Sequence, residues 1–145
     1  MPAGLGWHPY FPKQDAYLCA SMQAFWPNNE ELVSLKPTQP EWLSELATDI
    51  RVEQLGLDNA FTAAGQRVAI RWPSSRLQVQ MRASSNLRFL TLYTPKGESF
   101  FCVEPISHAP NCLNSDLESR VTGKEYLEPG ATLEAKIVLS ASLIG

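Results

Sequence analysis

Two residues in this chain combine proton-transfer chemistry with an unusual setting. His8 lies in Gly6-Trp7-His8-Pro9-Tyr10-Phe11. Imidazole is the side chain whose ordinary titration falls nearest neutrality. The proline after His8 biases it toward an extended backbone, and three aromatic residues crowd around it. A histidine in an aromatic-lined pocket would have these neighbours. So would a core histidine satisfied by a single hydrogen bond, and composition alone favours that plainer reading. Glu104 lies in Phe100-Phe101-Cys102-Val103-Glu104-Pro105. Strands disfavour glutamate, and burying its charge is costly. Alternation puts Glu104 on one face with Phe100 and Cys102, opposite Phe101 and Val103. A partly desolvated carboxylate has a raised pKa and accepts a proton near neutrality. A strand-end glutamate turned to solvent or paired with a surface cation fits the same residues equally well.

The remaining candidates say less on their own. Asp58, in Leu57-Asp58-Asn59-Ala60-Phe61, could be no more than a turn residue. His108, in Ser107-His108-Ala109-Pro110-Asn111, also reads as loop. The cysteines are Cys19, Cys102 and Cys112, an odd number with no pair at metal-ligand spacing, and they read as buried or partly buried free thiols. Two distant histidines and scattered thiols fall short of a metal site, and no glycine loop is built to cradle phosphate. No metal and no cofactor is expected. The net charge is −3, with no cluster of lysine and arginine, which sets nucleic acid aside as a partner. No apolar run has membrane-spanning length, and Met1 to Gly6 lacks the pattern of a signal peptide, so the expected location is cytoplasmic and away from membranes.

The elements that must position these groups read as strands. Leu77, Val79 and Met81 alternate with Arg76, Gln78, Gln80 and Arg82, the pattern of a strand with one wet face. Val68, Ile70 and Trp72 alternate within 66–72, and Pro73-Ser74-Ser75 joins the two runs as a hairpin. Residues 87–93 carry Phe89 and Tyr93 on one face and Leu90 and Leu92 on the other, as in a strand buried on both sides. Further strands are expected over 17–26, over 100–104, and from Thr132 to Leu139 after a turn at Pro129-Gly130. Residues 40–46 could form a short helix, with proline and acid in its first turn. Eleven prolines and eight glycines in 145 residues suit many short strands. The expectation is one domain of all-β class, an antiparallel β-sandwich.

Taken together, three segments resemble the aldose 1-epimerases, a galactose mutarotase-like family. They are Gly6-Trp7-His8-Pro9-Tyr10-Phe11, then Leu57-Asp58-Asn59-Ala60-Phe61, then Phe101-Cys102-Val103-Glu104-Pro105-Ile106-Ser107-His108-Ala109-Pro110-Asn111. Leu127-Glu128-Pro129-Gly130 followed by a strand is similar to the family's ending. The resemblance implies a β-supersandwich and a small-molecule sugar substrate. It implies that His8 is the general acid serving the ring oxygen, that Glu104 is the base taking the proton of the anomeric hydroxyl, and that Asp58 hydrogen-bonds sugar hydroxyls. Trp7 and Tyr10 are candidates, from position, for the surface that holds the sugar. His108 matches no catalytic position and is read as structural. The resemblance also implies that residues 1–145 are a partial domain, the C-terminal half of such an enzyme. In the family, the upstream half supplies a second active-site histidine and an arginine. A homo-oligomer or a separate N-terminal half would then complete the sandwich.

Overall fold

The computed structural model describes residues 1–31 and 33–145. Its organising element is one long strand, here β5. The ten strands among the described residues are β1 (Pro2–Ala3), β2 (Tyr10–Pro12), β3 (Tyr17–Trp26), β4 (Ile50–Arg51), β5 (Asp58–Trp72), β6 (Leu77–Ala83), β7 (Phe89–Tyr93), β8 (Phe100–Ile106), β9 (Glu125–Tyr126) and β10 (Ile137–Leu143). All pairings are antiparallel. β3 runs along one edge of β5, from Arg71 to Ala60, with irregular register around Met22. The other edge is shared. β6 takes residues 67–72 of β5 and β7 takes residues 58–62. The sheet therefore divides along β5 into one arm running β5-β6-β10 and another running β5-β7-β8-β2. Strand twist and the bulged register of β3 curl the two arms over a common core, the β-sandwich the alternation implied.

Alternation decides which side chains enter that core. Phe11 faces Phe101, Val103 faces Leu92, and Leu90 faces Phe61 across the ladders. All six are buried, together with Leu18, Ile70 and Met81. Phe11 packs 5.7 Å from Phe101 and 6.4 Å from Trp72, ring centre to ring centre. The indole Nε1 of Trp72 donates to the Pro12 carbonyl at 2.8 Å, which ties β2 to the hairpin.

The other face of the β5-β7-β8-β2 arm is covered only at one end. There Trp26, Ala60, Phe89 and Ala109 form a second, smaller core with Ile106, Leu117 and Val121 against it. The segment that supplies Ala109, Leu117 and Val121 turns through Ser119–Thr122, a single helical turn closed by Gly123 at φ +71°. The opposite end of the same face is open, and the candidate residues gather there.

The short helix expected over 40–46 forms as a 3₁₀ helix over Glu41–Ala47, burying Leu43 and Leu46. Other sequence expectations are corrected. The last strand starts at Ile137 and runs to Leu143; residues 131–136 are irregular. Asp58 opens β5 and is not a turn residue. The hairpin of β5 and β6 forms as expected, with Arg71 opposite Gln78 and Trp72 opposite Leu77. All three cysteines are free, Cys102 and Cys112 buried and Cys19 half-buried.

Candidate active site

A single antiparallel register builds the site. β2 pairs with β8 so that Tyr10 faces Cys102 and Phe11 faces Phe101. Upstream, the Trp7 amide donates to the Pro105 carbonyl at 3.1 Å, and Gly6 bridges Ile106. Each of these pairs keeps the same register, so His8 falls opposite Glu104. Residues opposed in such a pairing have their Cβ atoms close together, and His8 Nε2 lies 3.2 Å from Glu104 Oε1. Gly6 permits the close approach: a Cβ there would lie 2.7 Å from Ile106 Cγ2. Pro105 has no N–H to return to Trp7, so this pair is held by the single bond from the Trp7 amide to the Pro105 carbonyl.

The neighbours follow from the same rows. Tyr10, Cys102, Tyr93 and Asp58 stand in line across β2, β8, β7 and β5. One step along, Glu104 pairs with Thr91 and Thr91 with Ala60. The His8 imidazole stacks on the Tyr10 ring at 5.0 Å and 21°. Tyr10 in turn packs 5.0 Å from Phe100, which sits 6.2 Å from Tyr93. The result is a half-exposed aromatic shelf beside a proton-transfer pair. Asn28 fastens its far edge by donating from Nδ2 to the Asp58 carbonyl at 2.7 Å.

Burial is unequal within the pair. The Glu104 side chain keeps 13% of its exposure and His8 keeps 53%. Desolvation pushes the Glu104 carboxyl above its usual range, the nearby His8 opposes that, and the negative charge of Asp58 adds to it. Desolvation also pushes the Cys102 thiol up, to about 11, with the Glu104 charge as a further cause. A carboxylate held in this way accepts a proton more readily than an exposed one, while the exposed imidazole can exchange its proton with a ligand or with water.

The structure brings together His8, Glu104, Tyr10 and, through its charge, Asp58. Trp7 occupies the intervening position of the ladder and is 40% exposed; it has no ring contact with His8 or Tyr10 among the described residues. His108 lies elsewhere: its Nδ1 is 3.1 Å from Ser107 Oγ, and its ring packs where a side chain on Gly4 would stand. Sequence reasoning passed over Tyr93 and Cys102 as parts of the site. Both were visible in the alternation, since Cys102 shares the face of Glu104. What the linear order hid is that this face meets His8, and that the thiols are not all remote from the histidines. A hollow of about 610 Å³ also lies on the molecule, walled by Phe11, Trp72, Leu77 and Val79. Its one acid, Asp15, is held below the usual carboxylate range by Ser74, so it offers no comparable acid–base pair.

Residues 1–140 match the family model described as aldose 1-epimerase. The protein YphB of Escherichia coli K12, described as uncharacterized, is 26% identical over 125 residues, covering 77% of this chain and 41% of that protein. Among solved structures, a candidate aldose 1-epimerase from Escherichia coli K12 superposes with a TM-score of 0.85 at 21% identity, over 99% of this chain and 52% of that one. A galactose mutarotase-like protein from Clostridium acetobutylicum gives 0.82 at 18% identity, over 99% and 48%. At these identities the superpositions speak for the fold. The chain spans about half the length of these relatives. The match runs along nearly all of this chain, and it does not bear out the narrower expectation of a C-terminal half. No helix among the described residues is long and apolar enough to cross a membrane. With the family model matched over residues 1–140, the chain belongs to the aldose 1-epimerase family.

Proposed function

We propose that this chain, read as one partial domain over residues 1–145, carries the acid–base pair of a mutarotase, an isomerase that interconverts the α and β anomers of a free hexose. The observation that carries the proposal is the 3.2 Å contact between His8 Nε2 and a Glu104 carboxylate whose surroundings raise its proton affinity. Anomers interconvert when the bond from the anomeric carbon to the ring oxygen opens to the aldehyde and recloses on the other face. Opening removes a proton from the anomeric hydroxyl and delivers one to the ring oxygen. Glu104 takes the first and His8 gives the second. Reclosure returns both by the same route, so protons and electrons balance without an added reagent. Each positioned group of this kind contributes about 10²–10⁴-fold.

Pair geometry adds a requirement. His8 and Glu104 touch one another, so the sugar must enter between them and replace that contact with one to each. Tyr10 offers a ring face for the apolar side of the sugar, with Trp7 an exposed neighbour, and Asp58 offers a carboxylate for its hydroxyls. In this reading the substrate is a small sugar, and the proton transfer takes place in the cytoplasm.

A second reading is favoured by the direct contact of the pair: a module that binds sugar without turning it over. The two readings part on the His8→Asn protein. The enzyme reading expects calorimetric sugar binding to persist while the polarimetric rate falls to that of buffer. Binding by a wild-type chain that never exceeds the buffer rate supports the module.

A further inference from the structure

Close to the acid–base pair lies a third group that the proposed chemistry does not use. Cys102 is fully buried, two residues before Glu104 on β8 and therefore on the same face. One ligating atom from each of His8, Cys102 and Glu104 lies within 4.8 Å of the other two. We propose that these three side chains form a site for a thiophilic divalent cation of the zinc class.

The donor set argues for that class. Nitrogen, sulfur and carboxylate oxygen are the ligands zinc takes, at roughly 2.0–2.3 Å, which places tetrahedral donors roughly 3.3–3.7 Å apart. The 3.2 Å separation of His8 and Glu104 is already of that size, and the third donor needs to move by only about 1 Å to join them. Two of the three ligands are fixed by one strand and the third by the ladder opposite, so little ordering is left to binding. A thiol among the donors selects against magnesium and calcium, which take oxygen. Charge also favours a cation: the negative charge of Asp58 adds to that of Glu104, with His8 opposing it. Burial that holds the Cys102 proton on is an opposing cost, and a bound cation reverses it, displacing the proton to solvent as the metal–sulfur bond forms. The exposed side of His8 leaves a fourth position for water.

Cobalt(II) is the probe, because a thiolate ligand gives it a charge-transfer band in the near ultraviolet. Titrating the reduced chain with cobalt should develop that band to one ion per chain, and zinc should bleach it. The Cys102→Ala protein should lose the band, while Cys19→Ser and Cys112→Ser keep it. His8→Asn, at a half-exposed position that leaves the core alone, should weaken cobalt binding by about 10–100-fold, at least the loss that outer-shell changes cause. The proposal is overturned if folded wild-type protein gives no thiolate band, if the band survives in Cys102→Ala, or if His8→Asn binds cobalt as wild type does. A bound ion would occupy both members of the acid–base pair and exclude the sugar; because none of these readings measures turnover, the metal site can fail while the acid–base reading stands, and the reverse.

Discussion

At the scale of the residue, Glu104 carries two opposed demands. Its carboxylate must be ionised to act as a base, and its surroundings disfavour the ionised form. The sign of the stability effect follows. A carboxyl whose folded pKa lies above its unfolded value contributes its full stability in acid, below the unfolded value, and loses it as pH rises through the folded value. Glu104→Gln should therefore unfold at a higher temperature than wild type at neutral pH, with the difference vanishing toward acid; differential scanning calorimetry at both pH values checks this. The same substitution should lower kcat/KM by about 10²–10⁴-fold. In the wild type, the acid limb of kcat/KM should lie above the ordinary glutamate value of about 4.3, because the base must first lose its proton. The unusual setting of this residue was legible in the sequence, since a glutamate after the apolar run Phe100 to Val103 is out of place there; a solvent-facing glutamate fitted the same residues equally well. Its partner was not legible. Nothing in the linear order pairs residue 8 with residue 104; the family resemblance related them, and the β2-β8 register supplies the physical reason.

At the scale of the element, the site depends on a ladder only three residues long at β2 and continued by single contacts to Gly6. Gly6→Ala sets a methyl 2.7 Å from Ile106 Cγ2, and the Ile106 side chain or the strand that carries it must yield. The expected cost is about 1–3 kcal/mol, as for overpacking elsewhere, with a loss of turnover beyond what that destabilisation explains, read by denaturant unfolding beside polarimetry. The strands differ sharply in what they contribute. Phe101, fully buried on β8, should cost about 3–5 kcal/mol on truncation to alanine. Leu143, 79% exposed on β10, should tolerate lysine within about 0.5 kcal/mol. The first of these strands was readable from its apolar alternation. The second was misplaced: Leu133 and Ala135 continue the alternation of Ile137 and Leu139 upstream, but β6 has partners to offer only from Ala83 back to Leu77, so pairing begins at Ile137. The first half of β5 was missed for the reverse reason. Ala60 and Ala63 have weak strand preference; β3 pairs with both, and β7 pairs with Ala60 on the other side.

At the scale of the whole molecule, the two arms of the sheet share one core but have different outer faces. The β5-β7-β8-β2 arm is capped at one end by the small core around Trp26 and Phe89, and is open at the other, where the polar groups converge. This half-covered face is what makes Glu104 desolvated yet reachable. The β6-β10 arm ends in an edge strand with Val138, Leu139 and Leu143 exposed. Fold class could be read from period-two patterning spread over the chain, and the superpositions agree with it. Which part of the surface is left open could not, because that depends on how the segment 109–123 folds back over Phe89, and no local pattern encodes the contact. Gly123 marks the place: a Cβ there would lie 2.4 Å from the Ser107 carbonyl oxygen and 2.7 Å from the Phe89 ring.

The most direct test is the polarimetric rate of anomer interconversion, with freshly dissolved α-D-glucose and α-D-galactose, for the wild-type chain beside Glu104→Gln. The account predicts acceleration over buffer by the wild type and its loss in the variant, in protein shown by calorimetry to be folded. A folded Glu104→Gln protein that matches the wild-type rate would contradict the assignment of Glu104 as the base.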